Sequence, residues 1–287
     1  MPQFPQELVE NFIECLLIDG EHHTLRIPPL VSNTLLSCAL VSKSFSAPAR
    51  KHLFSSISLD PYQPSVQFKV DKVLRSPKDI IRRIKALGEL LANQDSDLRR
   101  LITSLRLDVD EAQTIFNDSP AMQTTLQILV STASNLKEFK LTSARKSVLS
   151  WTKIRTEIQE LVATICHSPS IKSISFAHFA DVPVDLILRN PCIESLWLVQ
   201  TTFSNSPDVY TTSSLEVATP TIKRLNIACY LTEFWDHFST VDRVFSGIEN
   251  FGTTIYSQTE VSIFKTVLER MPRSLKSLDL CVKALRQ

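Results

Sequence analysis

One short pattern limits what this chain can fold into more than any other feature: apolar, two variable residues, apolar, one variable residue, apolar. It is spelled Ile102-Thr-Ser-Leu105-Arg-Leu107, Leu136-Lys-Glu-Phe139-Lys-Leu141, Ile171-Lys-Ser-Ile174-Ser-Phe176, Ile193-Glu-Ser-Leu196-Trp-Leu198, Ile222-Lys-Arg-Leu225-Asn-Ile227 and Leu275-Lys-Ser-Leu278-Asp-Leu280. A degraded copy, Ile248-Glu-Asn-Phe251-Gly-Thr253, fills the remaining gap, and the first residues are separated by 34, 35, 22, 29, 26 and 27 positions. Alternation over so few residues describes a short strand, and recurrence at this period describes stacked units that bury a core no single unit could assemble. Pro169, Pro191 and Pro220 stand two residues before their copy, and Pro272 three before, where proline ends a helix and sets the entry to a strand.

Between the copies lie helical candidates at 121–134, 150–167, 182–189, 235–245 and 260–270. Strand, helix and strand in fixed order predict short parallel strands joined by helical crossovers, an α/β architecture. The rival is a generic α/β sheet. If Leu105 and Leu107 and their equivalents point to the core, the residue between them points to the concave surface. That row is Arg106, Lys140, Ser175, Trp197, Asn226, Gly252 and Asp279. Arg106, Lys140, Trp197, Asn226 and Asp279 are its candidate target-binding residues, with Trp197 foremost because Trp and Arg dominate binding hot spots.

The first sixty residues read differently. A helix is expected over 5–18, opened by Pro5 and carrying Leu8, Val9, Phe12, Ile13 and Leu16 on one stripe. A second, over 34–43, is apolar almost all round through Leu35, Leu36, Cys38, Ala39, Leu40 and Val41. A helix of that kind must be covered on every side. A module of this size buries only a modest share of its surface, so part of the apolar area is expected to meet another protein. A strand is expected over 55–59, a boundary at the Asp-Pro-Tyr-Gln-Pro of 60–64, and a helix from Ser76-Pro77-Lys78-Asp79 whose cations Lys78, Arg82, Arg83 and Lys85 form a solvated face. The domains are therefore 1–60, a helical linker or cap at 61–100, and the repeats at 101–287.

Several of these residues carry a family resemblance. Phe4-Pro5-Gln6-Glu7-Leu8, Ile13 and Leu16, the run Leu35-Leu36-Ser37-Cys38-Ala39-Leu40-Val41-Ser42-Lys43-Ser44-Phe45, then Ala49-Arg50-Lys51-His52-Leu53-Phe54 and Ile57-Ser58-Leu59 resemble a fungal-type F-box. The family usually has Leu where this chain has Phe4, and the insert over 19–33 is longer than in compact members. The repeats resemble the irregular leucine-rich repeats often found behind an F-box, without the Asn or Cys that usually follows the strand. The resemblance implies an all-α F-box module followed by a leucine-rich-repeat solenoid. It further implies a substrate receptor of an SCF-type ubiquitin ligase, docked through a Skp-type adaptor to a cullin. Carried over by position, Pro5, Leu8, Ile13, Leu16, Leu36, Leu40, Val41 and Phe45 are the candidate adaptor contacts, though the module needs some of them for its own core. The alternative is a non-ligase repeat scaffold whose helical module caps the solenoid.

The totals favour binding over chemistry. Net charge is +1, which gives no general electrostatic reason to expect nucleic acid or an anionic membrane. The six Cys never form a Cys-x-x-Cys pair, no run approaches a membrane span and the start lacks a signal peptide, so a reduced cytoplasmic or nuclear protein is expected. The four Gly form no phosphate loop, the six His form no zinc pattern, and Cys166-His167 diverge by about 100° on a helix. No enzyme activity, cofactor or metal is therefore expected, a hydrolase or transferase with dispersed residues being the outside alternative. Beyond Leu280 little sequence follows to cover a last repeat. Either an exposed edge or a shortened form of a longer chain is expected there, the latter favoured.

Overall fold

A computed structural model describes residues 6–18, 29–59, 77–93, 98–109, 119–132, 135–143, 148–204, 220–239, 242–271 and 275–283. It opens with three helices, α1 (Gln6–Ile18), α2 (Pro29–Val41) and α3 (Lys43–Ser55), and α3 runs directly into β1 (Ser56–Leu59). Next come α4 (Pro77–Ala92), the single turn α5 (Leu98–Leu101), β2 (Ser104–Val109), α6 (Pro120–Thr132) and β3 (Glu138–Ser143). The short β4 (Leu149–Ser150) and a 3-10 turn at Trp151–Lys153 precede α7 (Thr156–His167), β5 (Ser173–Pro183), α8 (Asp185–Leu188) and β6 (Ser195–Ser204). The chain continues through β7 (Arg224–Ala228), α9 (Leu231–Phe238), α10 (Asp242–Ser246), β8 (Asn250–Ile255), α11 (Gln258–Arg270) and β9 (Ser277–Val282).

Among the described residues all nine strands belong to one parallel sheet in the order β1-β2-β3-β5-β6-β7-β8-β9, with β4 beside β5. Apart from that side strand the spatial order is the chain order. A doubly wound sheet reverses direction partway. Unbroken succession is instead what stacked repeating units produce, so the α/β sheet is compatible with a solenoid.

The recurring pattern explains the stacking. In every copy but the last its fourth and sixth positions are sealed: Leu105, Phe139, Ile174, Leu196, Leu225 and Phe251 are at most 1% exposed, as are Leu107, Leu141, Phe176, Leu198 and Ile227. They meet helix residues such as Ile84, Leu126, Val162, Phe234 and Val267 in one core. The second position of each copy makes the joint between units. The Lys137 carbonyl accepts the N–H groups of Lys172 and Ser173 at 2.8 and 3.0 Å. Lys172 receives Glu194 and Ser195 in the same way, Glu194 receives Lys223 and Arg224, and Lys223 receives Glu249 and Asn250. From Lys172 onward the side chains on this rung alternate in sign, with Lys223 Nζ and Glu194 Oε2 2.9 Å apart and Lys276 Nζ and Glu249 Oε2 2.9 Å apart.

The helices depart from expectation in instructive places. α2 begins at Pro29 rather than at Thr34, because proline at a first helical position gives up an N–H that the helix cannot use. Ser42 then caps α3, its hydroxyl accepting the Phe45 N–H, so the segment expected as one helix through residue 43 is divided there. Val182 and Pro183 remain in β5, which leaves only Asp185–Leu188 helical. The candidate at 235–245 is two helices, α9 and α10. In α4, Ile80, Ile84 and Leu91 face the core while Arg82, Arg83 and Lys85 are exposed, as expected of a solvated face. Gly88 lets α6 approach, since a Cβ there would lie 2.8 Å from Thr125 Oγ1.

Candidate functional site

The helical module has a core of its own. Ile13, Leu35 and Ala49 are fully buried, with Val31, Cys38, Ala39, Phe45 and Leu53 packed around them. Leu35 is therefore the inward side of α2. Leu36 and Leu40, four apart and so on one face of the helix, are 49% and 88% exposed. Leu8 of α1 is 57% exposed. Expected contact residues thus divide. Leu8, Leu36 and Leu40 face water; Ile13 is committed to the module's interior and offers nothing to a partner, and Phe45 is half-buried, packed against that interior. Leu16 and Val41 fall within α1 and α2, and Pro5 lies outside the described residues.

The open face of the sheet carries the row expected from alternation. Register aligns Ser58, Arg106, Lys140, Ser175, Trp197, Asn226, Gly252 and Asp279 across eight strands. Their surroundings differ. Arg106 is tied to Asp108 two residues along the same face, its Nε 2.8 and 3.0 Å from the two carboxylate oxygens. Lys140 is half-buried on the same row. Trp197 is 42% exposed and its indole N–H donates to Ser195 Oγ at 3.1 Å, which satisfies its polar edge and leaves a large ring facing outward. The Asn226 side chain lies over Gly252, where an added Cβ would meet its Nδ2 at 2.5 Å. This close approach explains the glycine of the degraded copy. Asp279 is exposed on β9.

Two features escaped sequence reasoning. Asn190, fully buried before β6, donates from Nδ2 to the carbonyls of Cys166 and Ser168 at 2.7 and 2.9 Å and accepts the Cys192 N–H at 2.9 Å. It sews the end of α7 to the entry of β6. Second, β5 bulges against β6 between Phe179 and Val182, and three residues there adopt positive φ: His178 at 63°, Asp181 at 59° and Gln200 at 45°. His178 Nδ1 lies 2.7 Å from Gln200 Oε1, and Ser150 donates to Asp181 Oδ2 at 2.9 Å. His, Asp and Asn tolerate this region better than most side chains, but the bulge itself leaves no mark in local composition.

Two cavities accompany these surfaces. One, of about 440 Å³, lies between α6 and α7 and is lined by Leu129, Val130, Leu136, Thr164, Ile165 and His167. His167 already pairs through Nε2 with the Asp185 carbonyl at 3.1 Å, and burial pushes the neighbouring Cys166 thiol far above its ordinary range. That pair cannot serve as a nucleophile and base. The other cavity, of about 280 Å³, sits at the carboxyl ends of β6, β7 and β8. Among the described residues no helix is long and apolar enough to cross a membrane.

Together these features define an α/β chain in which a parallel sheet alternates with helices behind a separate helical module. No family model matches the chain, and no curated protein matches it.

Proposed function

We propose that this chain is a substrate-receptor subunit of a cullin-based ubiquitin ligase. On this reading α1 to α3 are an F-box that docks a Skp-type adaptor, and the sheet with its helices is an irregular leucine-rich-repeat domain that holds a protein target. The observation that carries the reading is the outward pair Leu36 and Leu40, on a helix whose inner side is already satisfied by Leu35. Each leucine sealed by a partner would contribute about 1.5–3 kcal/mol. The F-box-like spelling of the same helices points to the kind of partner.

The mechanism is placement. A target lysine held near a conjugating enzyme on another subunit reacts because its effective concentration is raised, with no bond chemistry asked of this chain. The test is to mix the purified chain with a Skp-type adaptor and run gel filtration. A one-to-one complex is expected, and separate elution at micromolar concentrations overturns the reading.

A second reading, a non-ligase scaffold, draws on a different observation. Helix α3 continues without a break into β1, and the Ser55 carbonyl accepts both the N–H and the hydroxyl of Thr103, at 2.8 and 3.2 Å. The helical module is thereby joined to the first edge of the sheet, as a cap would be. The same gel filtration separates the two, since a cap has no need of the adaptor.

A further inference from the structure

The cavity at the carboxyl ends of β6, β7 and β8 combines aromatic walls with a carboxyl group. At about 280 Å³ it falls below the usual size of a pocket for a whole cofactor or drug-sized ligand, and it suits a single side chain. Two of its walls are aromatic. Tyr230 and Tyr256 stand with ring centroids 5.5 Å apart and planes tilted by 52°, and Tyr230 is mostly exposed. The face of such a ring is negative and attracts cations. One cation is already there: the Lys283 ammonium lies over the Tyr256 ring, 5.2 Å from its centroid.

A carboxyl group lies beside the rings. Glu233 lines the cavity, half-buried, and makes no hydrogen bond or ion pair among the described residues. Burial pushes its carboxyl above the ordinary range; His237, four residues along α9, opposes that rise, and Asp236 adds to it. The Cys229 thiol in the same wall is pushed up to about 12, chiefly by burial and further by Glu233 and Glu260, with a Thr201 backbone bond pulling against them. A wall of this kind favours a cation that replaces the water its carboxylate has lost. Glu260 cannot take that role, because its oxygens already accept the N–H groups of Leu231, Tyr256 and Ser257. Backbone strain points to the same place, since Gln200, in the cavity wall, and its partner His178 both hold positive φ.

We propose that this cavity receives the alkylammonium head of a lysine side chain, primary or methylated, from the polypeptide held by the sheet, with Lys283 occupying the Tyr256 face until it is displaced. The proposal rests on the reading of the sheet as a target-holding surface, but it does not depend on the adaptor. A free alkylamine offers the same chemistry, so the test carries both sources.

Nuclear magnetic resonance titration of the full chain uses four probes: a Gly/Ser decapeptide with one central lysine, its trimethyl-lysine form, its norleucine form, and butyltrimethylammonium. The two lysine peptides are expected to shift the Tyr230 and Tyr256 ring signals, and the norleucine peptide is not. Glu233→Gln should weaken binding about tenfold and Tyr230→Ala by a similar factor, while Lys283→Met should strengthen it about fivefold by removing the internal competitor. Equal binding of the norleucine peptide, or affinities indifferent to Glu233→Gln and Lys283→Met, overturns the cation site. Butyltrimethylammonium binding as tightly as the peptides overturns the polypeptide as source. Co-elution with the adaptor, read on the same variants, should not change, so failure here is distinct from failure of the ligase reading.

Discussion

The helical module and the sheet use the same leucines to opposite ends. In the sheet, each apolar position from Ile102 to Phe251 has a strand on either side and helices across from it, and little of it remains in water. In the module, Leu35 is sealed while Leu36 and Leu40 on the same helix stand exposed. Strand β9 makes the contrast sharper. Leu278 and Leu280 occupy the same pattern positions as Leu225 and Ile227, yet they are 45% and 42% exposed, because among the described residues no further strand lies beyond β9. An apolar pattern states a capacity for burial. The neighbours decide whether it is used, and where they are lacking the surface is open to a partner.

Substitutions within the sheet should have the largest effects. Asn190→Leu removes three hydrogen bonds, leaving the buried Cys166 carbonyl and the Cys192 N–H without this partner while the Ser168 carbonyl keeps the Ile171 N–H, and should cost about 2–4 kcal/mol in urea unfolding. A cost under about 1 kcal/mol would mean that water replaces all three bonds. Leu198→Ala empties a sealed position and should cost about 3 kcal/mol. Leu40→Ala is the matched truncation in the module and should change stability by no more than about 0.5 kcal/mol. Similar costs at Leu198 and Leu40 would break the comparison outright.

Smaller effects sharpen it. Gly252→Ala forces the Asn226 amide aside and should cost about 1 kcal/mol, a cost that disappears in an Asn226→Ala background. The charge rung contributes least. The hydrogen bond from Lys223 holds the Glu194 carboxyl below its ordinary range, with burial opposing and the charges of Lys223, Lys172 and Arg224 assisting. A carboxyl depressed in the folded state adds stability above its unfolded value and loses it as pH falls through the lower folded value. Because Glu194 is well exposed, the contribution is about 0.5 kcal/mol or less, absent in Lys223→Met and weakened by salt.

Much of the sheet was legible in the sequence for a simple reason. Period-two alternation makes the face of each residue follow from its neighbours, so the open row from Arg106 to Asp279 could be written down before any coordinates. What stayed hidden depends on contacts far apart in the chain. Asn190 is a single polar residue beside Pro191, and nothing local says that its amide will join α7 to β6. The bulge that sets His178 against Gln200 reflects a mismatch between two strands, which neither strand shows alone. The cavity between Tyr230 and Tyr256 draws on three strand ends and α9, and Glu233 looks like any surface acid when read in sequence. In the module, the excess of apolar residues was plain, but which leucines would be left outside was not. Leu35 and Leu36 are neighbours in the chain, and the packing of α2 against Ile13 and Ala49 decides that Leu35 is the one sealed.

The most direct test is the double substitution Leu36→Ser with Leu40→Ser, measured both for unfolding free energy and for affinity to a Skp-type adaptor. The expected result is a chain as stable as the parent to within about 1 kcal/mol whose adaptor affinity falls at least about a hundredfold, from the loss of two anchors. A chain that binds the adaptor undiminished, or one that loses its fold because the two leucines were needed inside, would contradict the account.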